Sequence, residues 1–144
     1  PLFDELLVAV TAPSNAGNRH RLITTDIEEG SQGLDWMTYC DQAKLTLDGV
    51  QHGPWLQCTH YLLALEMARA GLGVALVPGF LAHRDLHEAT LICVHRHRMP
   101  SKRSYNLCFK HTRGNEPGIR ALAQWFKGEL SQGPVLKFPT RAIR

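Results

Sequence analysis

The order of apolar and polar positions along the chain separates strands from helices. Leu6-Leu7-Val8-Ala9-Val10 is an unbroken apolar run ending at Thr11-Ala12-Pro13. Such a run predicts a strand covered on both faces, and therefore parallel pairing. Residues 14–21 are polar and predict a loop or a single helical turn, and Leu22-Ile23-Thr24-Thr25 predicts a short strand. Ser31-Gln32-Gly33 opens a helix with Leu34 and Met37 on one side and Trp36, Cys40 and Ala43 on the next. Gly49, Gly53 and Pro54 predict a strand and a turn within residues 46–54.

The most regular segment runs from Thr59 to Gly71. Leu, Ala, Glu and Met favour a helix, Thr59 suits its N-cap and Gly71 its stop. Glu66 and Arg69 are its strongly polar interior positions, one turn apart, so the helix is expected to be largely buried. Gly73-Val74-Ala75-Leu76-Val77-Pro78 predicts a buried strand stopped by proline, followed by a short helix from Gly79 to His83 and a strand over residues 90–94. Residues 95–103 read as a basic connection. Tyr105, Leu107 and Phe109 alternate with Asn106 and Cys108, which predicts a strand from Ser104 to Lys110. Asn115-Glu116-Pro117 starts a last helix with the apolar stripe Ile119, Leu122, Phe126 and Leu130, and residues 131–144 read as a tail. Strands alternating with helices predict an α/β layered domain.

Composition supports a packed domain. Among 144 residues, 44% are hydrophobic and 20% charged, which argues for a buried core and against disorder. A net charge of +3 is a weak lean towards anions, well short of a DNA-wrapping module. No apolar run approaches a membrane span, and Pro1-Leu2-Phe3-Asp4-Glu5 does not resemble a signal peptide. The chain opens almost inside a strand without an initiator Met, as a piece of a longer protein would. Cys40, Cys58, Cys93 and Cys108 form no CxxC pair and sit among apolar neighbours, as buried inert thiols in a reducing, cytoplasmic compartment do.

Taken jointly, several motifs resemble one family. Leu2-Phe3-Asp4-Glu5 before Leu7–Pro13 is similar to the crossover strand of LysR-type effector domains. Leu22-Ile23-Thr24 followed by Trp36 resembles that family's next strand and its Trp-bearing segment. The most specific match is Tyr61–Pro78: an Ala-rich helix, Gly71-Leu72-Gly73-Val74-Ala75, an apolar pair and Pro. Asp85-Leu86, Leu91-Ile92, Tyr105-Asn106-Leu107 and the Trp125-bearing closing helix extend the resemblance over residues 2–130. The sequence departs from the pattern at Ala89-Thr90, Met67, Arg69 and Ala123-Gln124.

The resemblance implies an α/β, type II periplasmic-binding-protein-like fold: one complete lobe, the second, plus the return strand and C-terminal helix of the first. Residues 1–130 would form a partial effector-binding domain, with 13–100 the second lobe and 1–12 and 101–130 the crossover strands and first-lobe remainder. It implies the ligand-sensing part of a bacterial transcriptional regulator, reading DNA through an N-terminal helix-turn-helix domain that these residues do not include. The effector would be a small anionic molecule, and the protein a homo-oligomer. The alternative is a solute-binding protein of a transport system with the same lobes. On this layout Tyr105–Phe109 is expected to lack strand neighbours within the chain and to favour association.

Ligands of α/β sheets bind beyond the carboxyl ends of strands and at helix N-termini. Three places qualify: Thr11 and Pro13 closing the first strand; Thr59, His60 and Tyr61 opening the central helix; and Tyr105 near the hinge that the resemblance implies. The residues of the second and third places also have plainer readings, as a cap (Thr59), an exposed first-turn residue (His60) or core packing (Tyr61, Tyr105). His95 and His97 have the spacing of an HxH metal pair but no third ligand nearby, and His95-Arg96-His97-Arg98 reads as a solvated connection. No nucleophile elbow, phosphate loop or HExxH pattern is present. The expectation is therefore of a binding domain with no catalytic residue, metal or cofactor.

Overall fold

The computed structural model describes residues 1–16, 20–25, 30–47 and 53–132. Its frame is a six-stranded sheet. β1 (Phe3–Thr11) lies between β4 (Val74–Pro78) on one edge and β5 (Ile92–Cys93) with β6 (Met99–Tyr105) on the other. β2 (Leu22–Thr24) follows β4, and β3 (Leu56–Gln57) closes that side.

β2 is parallel to β3 and β4, but β1 is antiparallel to β4, β5 and β6. The parallel pairing expected of Leu6–Val10 is therefore corrected. An unbroken apolar run reports two covered faces and does not fix strand direction.

Both faces are covered by helices. Val8, Val10, Ile23, Ala75 and Val77 pack against α2 (Tyr61–Arg69) and α3 (Gly79–Glu88). Leu7, Ala9, Leu22, Val74 and Leu76 pack on the opposite face against Trp36, Tyr39 and Cys40 of α1 (Leu34–Ala43). The split follows the period of two along each strand. Trp36 is locked by its indole N–H, which donates to the Ile23 carbonyl at 2.8 Å. The Leu34–Met37 side of α1 is turned to solvent instead.

Ala64 and Ala68 let α2 lie close on the sheet, and both are fully buried. The helix as a whole is less buried than its composition predicts: Leu62 is 57% and Leu63 42% exposed. One flank meets the sheet, and apolar residues all round a helix do not bring partners to the other. Its N-cap is His60 rather than Thr59, because the Leu63 N–H donates to His60 Nδ1 at 3.1 Å. Gly71 follows the helix at φ +73°, as the sequence predicts. Gly73 is required by packing, since a Cβ there would lie 2.3 Å from the Arg21 carbonyl oxygen.

Three further boundaries differ from expectation. Residues 48–52 of the strand-and-turn segment lie outside the described residues, and β3 begins after Pro54. α3 continues past His83 to Glu88. The basic connection is in fact most of β6, and the strand expected to reach Lys110 stops at Tyr105. β1 offers partners only from Leu7↔Met99 to Phe3↔Tyr105, so the alternation in residues 106–110 has no strand to pair with. Tyr105 itself is paired, contrary to the unpartnered edge expected there. α4 (Pro117–Gln132) closes the described chain with Leu122 and Trp125 exposed and Ile119, Phe126 and Leu130 half-buried.

Cys40 and Cys58 are buried and Cys93 half-buried, and burial pushes these three thiols above their ordinary range. Cys108 is exposed, which corrects its reading as a buried thiol; it lies beyond the end of β6.

Candidate functional site

A cavity of about 540 Å³ opens beyond the carboxyl ends of β2 and β3. Thr25 leaves β2 into it, and Thr59, His60 and Tyr61 enter it ahead of and at the start of α2. Leu34, Asp35, Thr38 and Gln42 line a second wall from α1, and Leu7 with residues 99–103 of β6 line a third. Parallel strands place their carboxyl ends and the following helix N-termini together, so the crevice falls where that topology dictates.

His60 does two jobs at this edge. Its Nδ1 accepts the Leu63 N–H, so in the neutral ring the proton resides on Nε2, which is left as a donor. The same bond satisfies one of the orphan amides of α2. Asp35 is committed to the fold: its Oδ1 accepts the Trp36 N–H at 2.8 Å and the Thr24 hydroxyl at 2.9 Å. The remaining charges on the wall are Lys102 and Arg103, both exposed and without a carboxylate partner among the described residues. The cavity is thus bordered by two cations and the His60 N–H donor, with the Asp35 carboxylate tied to Trp36 and Thr24.

The residues singled out from the sequence divide. Thr59, His60 and Tyr61 border the cavity together. Thr11 lies at the other end of the sheet, fully buried, with its hydroxyl donating to the Gly73 carbonyl at 2.9 Å. Pro13 begins an exposed 3-10 turn there. The rule of carboxyl ends does not bring either to this cavity, because β1 runs antiparallel to β4 and its carboxyl end meets the amino end of β4. Tyr105 is also away from the cavity lining: its hydroxyl donates to Glu5 Oε2 at 2.6 Å, and its ring stacks on Phe3 and meets Phe80 edge-on. Burial, then the bond to Glu5, raises its phenol well above the usual range.

Thr38, Gln42, Ser101, Lys102 and Arg103 were not singled out. Leu34, Thr38 and Gln42 are spaced by four on α1, a stripe visible in the sequence. The β6 residues carried no such signal, because their segment reads as a connection. Among the described residues, no group of three or more His, Cys, Asp and Glu could hold a metal ion, and no helix is long and apolar enough to cross a membrane.

The family model described as LysR substrate binding domain matches residues 1–131. The chain belongs to this family. As a LysR substrate binding domain, it is 31% identical over 91 residues to the glycine cleavage system transcriptional activator of Escherichia coli (strain K12), an overlap of 63% of this chain and 29% of that protein. The chain therefore spans less than a third of the curated relatives it matches. The effector domain of the transcriptional regulator AmpR of Pseudomonas aeruginosa superposes with a TM-score of 0.67 at 23% identity, over 90% of this chain and 64% of that one. The CrgA regulatory domain, a LysR-type transcriptional regulator from Neisseria meningitidis, gives 0.59 at 18% identity, over 90% and 67%. The sheet and its helices are those of the effector-binding domains of LysR regulators, a periplasmic-binding-protein-like fold.

Proposed function

We propose that this LysR substrate binding domain senses a small anionic effector in the cavity between β2, α1, α2 and β6, on behalf of a transcriptional regulator. The observation that carries the reading is the wall itself: the His60 Nε2 donor and first amides of α2 on one element, and Lys102 and Arg103 on another. Donors and cations converging on a concave, partly apolar space suit a carboxylate or a comparable anion. Effector binding would favour one arrangement of hinged lobes, with residues 13–100 as one lobe and β1 and β6 as the hinge.

In the same proposal the whole protein acts on DNA through a separate helix-turn-helix domain, works as a cytoplasmic homo-oligomer and catalyses no reaction. Relatives that are transcriptional regulators support this, and they favour it over a transport solute-binding protein. The test is thermal denaturation of the protein against a panel of small carboxylic and phosphoric acids. The reading expects at least one acid to raise the melting temperature in a saturable way, with the increase reduced in His60→Ala. A panel-wide absence of stabilisation, or stabilisation indifferent to His60, would overturn it.

A further inference from the structure

β6 is broken by a bulge where it borders the cavity. Between the pairs Asp4↔Ser104 and Leu6↔Pro100, β1 contributes Glu5 alone while β6 contributes Ser101, Lys102 and Arg103. Lys102 sits at φ +62°, a left-handed conformation that a side-chain-bearing residue adopts only at a cost. The Arg103 N–H donates to Ser101 Oγ at 3.2 Å and closes the turn around it. Bulges re-aim side chains, and here the extra residues belong to the cavity wall.

The two cations so placed, Lys102 and Arg103, are exposed. Neither forms an ion pair with a described residue, and Asp35, the one carboxylate on the wall, already accepts from Trp36 and Thr24. His60 offers its own donor from a different element. A molecule with one acidic group can engage either of these places. One with two acidic groups can engage both.

We infer that the Ser101–Arg103 bulge selects effectors carrying two acidic groups, with Lys102 and Arg103 holding the second. The inference rests on the proposed reading of the cavity as an anion site. The second group is a carboxylate or a phosphoryl group, since both accept from ammonium and guanidinium donors.

The test is calorimetric titration of the intact protein with glutarate, its half-amide and 3-phosphonopropionate, repeated for Lys102→Gly/Arg103→Gln and for His60→Ala. Glycine keeps the left-handed turn available, so the first variant removes charge without breaking the bulge. The diacids are expected to bind about tenfold more tightly than the half-amide, the worth of one charge-assisted contact. That preference should fall to within about twofold in the double variant. The tighter of the carboxylate and phosphonate probes then names the second group. Equal binding of diacids and half-amide, or a preference surviving the double variant, would overturn the bulge assignment while leaving the anion site standing. Absence of binding by every probe to the unsubstituted protein would overturn both.

Discussion

Arg69 on α2 grips Asp85 on α3 through two parallel hydrogen bonds, Nε to Oδ1 at 2.8 Å and Nη2 to Oδ2 at 2.7 Å. The Thr90 hydroxyl adds a third donor to Asp85 Oδ1 at 3.0 Å, and Glu66 meets Arg69 from the solvent side. Asp85 is 7% exposed, so this contact clamps together the two helices on one face of the sheet. Asp85→Asn keeps the shape and removes the charge, and should cost about 1–3 kcal/mol at neutral pH, read by urea denaturation.

The same pair gives a pH dependence with a definite sign. The bond from Arg69, then that from Thr90, holds the Asp85 carboxyl below its ordinary value despite burial. A depressed folded value contributes stability above the unfolded carboxyl range near pH 4, and that contribution fades as pH falls through the folded value. Denaturation midpoints measured from pH 6 down to pH 2 should therefore drop less steeply in Asp85→Asn than in the parent. Parallel curves would count against the contact.

Gly73→Ala should be strongly destabilising, by about 2–4 kcal/mol, because its Cβ would fall on the backbone oxygen of Arg21 and push β2 from β4. Lys102→Gly should act in the opposite direction. Relieving φ +62° at an exposed site should raise stability by about 0.5–1 kcal/mol, a shift readable in the melting temperature.

Tyr105→Phe removes the one donor that Glu5 receives among the described residues, where Oε1 already lacks a partner. A buried carboxylate left so should cost about 1–3 kcal/mol, and Glu5→Gln in the same background should recover part of the loss. Additive losses in the double-mutant cycle would show that the two side chains do not act as a pair.

Thiol exposure offers an inexpensive check of the core. Cys108 should be modified by a thiol reagent within the dead time of mixing, while Cys40 and Cys58 should react only on unfolding. Rapid modification of Cys40 in native conditions would contradict the packing of α1, through Trp36, Tyr39 and Cys40, against the sheet.

Much of the fold was legible in the residues. The Tyr61–Pro78 signature marked helix and strand within two residues, since Ala-rich spacing, Gly71 and Pro78 each act locally. Strand direction was not legible, because Leu6–Val10 has the same composition whichever way its neighbours run. Thr11 and Pro13 consequently lie at the end of the sheet opposite the cavity. β6 was missed for a related reason: a polar segment such as Pro100–Ser104 becomes a strand only because β1 supplies a partner 94 or more residues earlier. Half of the candidate site was visible, namely the opening of α2, where capping chemistry and helix polarity are local. The bulge that brings Lys102 and Arg103 to the wall is a property of register.

The most direct measurement of the central claim is an amide-resolved NMR titration of the protein with glutarate. The account expects saturable shifts concentrated on the amides of His60–Leu63 and Ser101–Arg103, with little change at Thr11–Asn15 at the far end of the sheet. Shifts confined to that far end, or scattered without saturation, would contradict it.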